Sequence, residues 1–378
     1  MLWTAVLTYP LMVGIQLVSA RLGYTTGKGL AANIRAAFPL PVLYCIVGLL
    51  LIANTINIAA DIAAMGQAAD VLIGGSARLY SVIAGLVCVV LQIFLRYEQY
   101  VRYLKLLTLA LLSYVAVVFM VHVPWAEVLR RVALPGLSLN HETLWMAVAI
   151  FGTTISPYMF FWQAAQEMED LQSGPSPLRA PRTRMRKASA QLQRIRWDTY
   201  VGMGFSNVVA FFIILSASVT LHHAGVTDIQ TSAQAAQALR PLGGQLTFLL
   251  FTVGIVGTGL LAVPVLAGSA AYAISESFDF KAGLDRKWYD AKQFYGLIVL
   301  ATIGGTLLNF SHLDPIRALL WSAVINGVIA VPIMGIMMLL GADRCIMGPL
   351  KIGVPLRTVG WLATLMMGIV VAAMLVTL

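Results

Sequence analysis

The chain has 378 residues, of which 59% are hydrophobic and 11% charged, and its mean hydropathy is +0.84. Soluble domains carry about 25% charged residues, so this composition excludes that class and points to an all-α, polytopic membrane protein. The formal net charge of +9 does not signal nucleic acid, because the cations fall almost entirely between apolar runs.

Those runs, each long enough to cross about 30 Å of hydrocarbon, predict ten spans. They lie near 2–20, 41–73, 79–95, 105–122, 143–171, 198–221, 244–275, 292–310, 316–340 and 356–377. Alternating sides from the first loop puts 20 of the 25 Lys and Arg on one side. The other five are Arg78, Arg130, Arg131, Arg240 and Arg317. By the positive-inside rule the richer side is cytoplasmic, so both termini face out. The basic run "PRTRMRKASAQLQRIR" (181–196) is expected to be a solvated loop beside anionic headgroups. Met1 opens directly on apolar residues, with no basic stretch and no small-residue cleavage site. An outward N-terminus then predicts one further helix upstream of Met1.

Polar groups inside spans are the candidates for chemistry, since lipid excludes them unless they face a cavity or a neighbouring helix. In the second span Asn54, Asn57 and Asp61 share one helical face. Asp61 is the one carboxylate well inside a span, and it reads either as a hard oxygen ligand or as a helix–helix hydrogen-bonding group. The fifth span contains "GTTISPYMFF" (152–161). There Pro157 removes a backbone donor and crowds the carbonyl of Thr153, and Gly152 weakens the turn before it. A break so formed offers the oxygens of Thr153, Thr154 and Ser156 to a ligand, or simply kinks a helix whose hydroxyls bond their own backbone. In the seventh span, 254–277 is dense in small residues and reads as a packing face. Asn326 and Gly327 lie deep in the ninth, with Asn326 either a ligand or helix glue.

No nucleophile–base pair, phosphate-binding loop or HExxH motif is present, so an enzyme is not expected. Cys45, Cys88 and Cys345 are scattered and suggest neither a disulfide framework nor a zinc site. His122, His141, His222, His223 and His312 fall at span ends or in loops.

Three stretches carry a resemblance to the natural-resistance-associated macrophage protein (Nramp) family of divalent-metal transporters. "RLGYTTGKGLAANIRAAFP" (21–39) is similar to the loop after that family's second helix, "GTTISPYMFFWQ" (152–163) to its sixth helix, and "ADIAAMGQA" (60–68) to its third. The resemblance implies a leucine-transporter-like fold of inverted repeats. Residues 1–122 would then be the remainder of the first repeat, 143–310 the second, and 316–377 the last two helices. The family's first helix, which carries an Asp and an Asn ligand, would be missing here. It implies metal ligation by Thr153, Ser156, Asp61 and Asn326, with Asn57, Tyr158 and Gln163 along the pathway or behind it. This chain departs from the pattern at Ser156, where the family has a Met, at Tyr158 and Gln163, where it has His, and at Ala64, where a Glu is common.

The expected function is therefore a secondary transporter importing a divalent metal cation by alternating access. A proton is the candidate coupling ion, and no resident cofactor is expected. A hydroxyl in place of a thioether favours Mn²⁺ or Mg²⁺ over softer ions. The alternatives are transport of a small organic substrate such as an amino acid, or a non-transporting paralogue. The expected partners are the metal ion and the lipid bilayer, in a bacterial plasma membrane. The sequence leaves the oligomeric state open.

Overall fold

The computed structural model describes residues 2–94, 112–120, 123–133, 141–172, 185–219, 232–311 and 315–377. Among them there is no strand. The helices are α1 (Leu2–Thr26), α2 (Leu30–Ala37), α3 (Leu40–Ile73), α4 (Ala77–Phe94), α5 (Leu112–Met120), α6 (Trp125–Ala133) and α7 (His141–Thr154). They continue with α8 (Pro157–Gln172), α9 (Met185–Ala217), α10 (Ser232–Phe278), α11 (Lys292–Leu308), α12 (Pro315–Ala342), α13 (Arg344–Met347) and α14 (Val354–Val376). Among the described residues, eight segments are long and apolar enough to cross a membrane, with α7 and α8 together forming one of them. α11 is apolar but has 17 residues. Of the predicted span 105–122, α5 is the described part.

Sequence punctuation sets the ends of these helices. α3 starts behind Pro39 and stops at Gly74, whose φ of 76° reaches the left-handed region that glycine enters without strain. At its 34 residues, α3 is about 50 Å long, and it forms the spine of the molecule. It packs against α4, α10, α11 and α12, while α1 packs against α8, α9, α12 and α14. One buried cluster gathers Ile15, Leu22, Leu50, Phe160 and Met334; a second gathers Ile58, Tyr272, Phe294 and Ile298. Tyr158 packs against both.

The segment between α1 and α2 is held by polar contacts. The Asn33 amide donates to Thr26 Oγ1 (3.0 Å), Lys28 O (3.0 Å) and Gly29 O (2.8 Å). Gly29 precedes α2 with no side chain to cap it, and the Glu276 carboxylate of α10 accepts from the backbone N–H groups of Ala31 and Ala32 instead. A Cβ on Gly29 would stand 1.7 Å from Glu276 Oε1, so the glycine in "TGKGLA" is what admits this distant cap. Glu276→Ala is expected to lower stability by about 1–2 kcal/mol, the usual size of a lost N-cap. Gln, which keeps an acceptor, should lose less. Thermal melts of the detergent-solubilised protein check both variants.

The basic run at 181–196 differs from the expected loop. From Met185 onward it is helical, the first turns of α9. Ala188 and Ile195 are buried against Val13, Leu17 and Tyr24 of α1, with Leu192 packed beside them. The helical spacing of 188, 192 and 195 gives the charged segment an apolar stripe, and burying that stripe outweighs its charge density. Arg194 is bound as well, donating to Asp170 at 2.9 Å and lying 4.0 Å from Glu167. His122, His222, His223 and His312 lie outside the described residues, and His141 opens α7. All three cysteines are free.

Candidate functional site: a helix interruption facing one carboxylate

α7 ends at Thr154 and α8 begins at Pro157, leaving Ile155 and Ser156 outside regular helix. Pro157 takes the first helical position, where its missing N–H leaves no partner unsatisfied. The carbonyls it strands are served by one side chain. Ser156 Oγ reaches Gly152 O at 2.5 Å and Thr153 O at 2.9 Å, and its single proton is shared between them. Thr153 Oγ1 donates to Ile150 O (2.9 Å) and Thr154 Oγ1 to the same carbonyl (2.6 Å). The hydroxyls thus bond their own helix, as a kinked helix would have them. Their lone pairs, and one on the Thr153 carbonyl, remain free to accept a cation.

Gly152, expected as part of the break, lies inside α7, and the interruption falls three residues later. Its role is contact. A Cβ there would sit 2.0 Å from Ala323 O and 2.7 Å from Gly327 N, both on the backbone of α12. The break is therefore pressed directly against the turn of α12 that carries Asn326. That residue is 1% exposed, and its Oδ1 has no hydrogen-bond partner.

α3 supplies the third wall. The Ser322 hydroxyl, one turn before Asn326, donates in a short bond to Asn57 Oδ1. Asp61 lies one turn further along the Asn57 face and is half-buried. The described residues give it no ion pair. Tyr158, in the first turn of α8, packs against the cluster that holds Ile58 and Ile62 of α3. Asn54, on the same helix, is joined to α10 through Leu266 O and Ser269 Oγ, each at 3.0 Å. It serves packing, in keeping with the small-residue stretch at 254–277.

The structure thus joins Asn57 of α3 to the turn of α12 before Asn326 and presses Gly152, beside Thr153, against that same stretch of α12; Asp61 follows one turn along α3 from Asn57. Gln163 belongs to another network. It donates to Glu167 Oε1 (3.0 Å) and accepts from Gln16 Nε2 (3.3 Å), and Glu167 in turn faces Arg194. Among the described residues no three His, Cys, Asp or Glu side chains come together. A cation at the interruption would therefore meet one carboxylate and neutral oxygens.

Two residues of α1 escaped the sequence reading. Gln16 Nε2 donates to Met159 O (3.1 Å) and Ser19 Oγ to Phe160 O (2.6 Å), stitching α1 to the first turn after the break. The available signal was two polar residues three apart in an apolar run.

These features define a polytopic helical membrane protein with one spanning helix interrupted at its middle. A family model described as natural resistance-associated macrophage protein-like matches residues 1–377, and the chain belongs to the Nramp family. It is 27% identical over 277 residues to the divalent metal cation transporter MntH of Klebsiella pneumoniae strain 342, an alignment covering 71% of this chain and 63% of that one. MntH of a second Klebsiella pneumoniae strain is 26% identical over the same length. The chain thus spans less than two thirds of the length of these relatives. A crystal structure of a mutant Eremococcus coleocola manganese transporter superimposes with a TM-score of 0.73 at 18% identity, over 100% of this chain and 79% of that one. The same transporter bound to an aromatic bis-isothiourea compound gives 0.73 at 16%. The shared fold is the leucine-transporter-like one.

Proposed function

We propose that the chain carries a divalent metal cation across the membrane, holding it between Asp61, the Ser156 hydroxyl, the Thr153 carbonyl and Asn326. The observation that supports this most is the orphaned Asn326 Oδ1, buried beside the interruption. An unmade acceptor in such a place costs about 1–3 kcal/mol, and a bound cation removes that penalty. One carboxylate with neutral oxygens is a hard donor set, suited to Mn²⁺ or Mg²⁺ more than to Cd²⁺. The relatives' names, a divalent metal cation transporter and a manganese transporter, favour manganese. Movement follows from alternating access around the interruption, with Asn57 and Tyr158 lining the approach. The basic loops face the cytoplasm and both described ends face out.

Purified protein in sealed vesicles, with Mn²⁺ outside and a metal-quenched dye within, tests the reading. Saturable Mn²⁺ entry is expected, competed by Mg²⁺ and unaffected by amino acids. Accumulation undiminished in the Asp61→Ala, Ser156→Ala double variant would remove the proposed site. Binding without entry would make the chain a metal-binding paralogue that does not transport.

A further inference from the structure

Away from the interruption, a cavity of about 380 Å³ opens between α1, α9 and the start of α14. Its floor is apolar, formed by Tyr9, Val13, Leu17, Leu356 and Val359, and Arg21 and Arg196 line it too. A second opening of about 710 Å³ continues it past Trp197 and Tyr200. From Tyr9 to Arg21 the α1 wall runs about 18 Å at 1.5 Å per residue. α1 and α9 are antiparallel, since Asn207 Nδ2 donates to Ala5 O (2.7 Å) and Tyr9 Oη to Tyr200 O (3.1 Å). Helical side chains lean toward their own N-terminus, which tips Arg21 back along the groove.

The two guanidinium groups act on each other electrostatically. Among the described residues neither makes an ion pair. Arg196 lies over the Tyr200 ring, 5.6 Å from its centroid. The acids of this end are engaged or turned aside. Asp170 is held by Arg194, and Asp198 is two residues from Arg196, on another face of α9. Two like charges beside an apolar trough call for one ligand with an anionic head and an apolar tail. The exposed Trp197 (61%) marks this level as a membrane interface.

We propose that this groove is a binding site for one anionic phospholipid of the leaflet on the basic side. Its phosphate sits between Arg21 and Arg196, and an acyl chain lies along Leu17, Val13 and Tyr9. Planar guanidinium groups suit phosphate oxygens, and the 380 Å³ trough takes part of one acyl chain while the rest of the lipid stays in the bilayer. The site is separate from the metal region, and its occupancy can be read without transport.

The test is native mass spectrometry of detergent-purified full chain, offered phosphatidylglycerol and phosphatidylcholine in equal amounts. One phosphatidylglycerol per chain is expected, preferred about tenfold or more, as two arginines at an anionic surface would give, with a rise in Tm. Arg21→Gln with Arg196→Gln should abolish the preference, and the Lys pair should restore part of it. Leu356→Trp, which fills the trough and leaves both arginines, should also prevent retention. Equal retention of the two lipids, an undiminished preference in the Gln pair, or the same Tm rise from inorganic phosphate would each overturn the proposal.

Discussion

Gly152→Ala is expected to leave little folded protein. The added methyl carbon would stand 2.0 Å from Ala323 O and 2.7 Å from Gly327 N, and neither atom can swing aside as a side chain could. Relief requires α7 and α12 to separate, which undoes contacts along both helices. Overpacking a well-filled interior costs about 1–3 kcal/mol, and more where backbone must move. The facing side is close but less so, because a Cβ on Gly327 would meet Val148 Cγ1 at 2.8 Å and Val148 O at 3.0 Å. The two glycines form one close crossing of the small-residue kind that apolar solvent favours. Gly296→Ala supplies the contrast, since nothing lies within 4 Å of its built Cβ. There the better helix former should be neutral or gain up to about 1 kcal/mol. Size-exclusion profiles and thermal melts of the two variants check this. A monodisperse Gly152→Ala protein with unchanged Tm would show that the crossing is looser than the geometry states.

How far these features could be read in advance depends on whether their cause is local. The ends of α3, α4 and α14 fall within a few residues of the predicted spans, because Pro, Gly and the end of an apolar run act where they stand. The break was legible for the same reason, since Pro157 acts on the turn before it. What Gly152 does was not legible, because its reason lies on α12, more than 170 residues away. The cap that Glu276 places on α2 is likewise a tertiary fact, visible in the sequence only as a glycine-rich turn and, far off, a carboxylate ending a span. The start of α9 was hidden by its charges, which drew attention from the stripe of Ala188, Leu192 and Ile195. Of the site, Asp61 and Asn57 showed themselves by shared face, and Asn326 by its depth. The contact of Asn57 with Ser322, and of the break with the turn that carries Asn326, needed the fold.

Asn326→Leu should raise the stability of the metal-free protein while weakening Mn²⁺ binding, and this pairing of opposite signs separates a ligand from helix glue. In the empty protein Asn326 Oδ1 is buried without a donor, so replacing it with an apolar group of similar size removes a penalty of about 1–3 kcal/mol. If Asn326 instead joined helices by hydrogen bonds, the same change would lower Tm. Asp61→Ala provides the scale for the binding arm. It deletes the one carboxylate at the site, so Mn²⁺ affinity should fall at least about a hundredfold, the upper end of what loss of even an outer partner costs a metal site. Asp61→Asn keeps the shape and one oxygen but not the charge, and should fall nearly as far. Calorimetric titration with Mn²⁺ and thermal melts with and without the metal read both arms. Lower Tm with unchanged affinity in Asn326→Leu would return that residue to packing. Affinity unmoved in Asp61→Ala would take the cation away from this junction altogether. Stability gained where binding is lost is the mark of a group kept for its ligand.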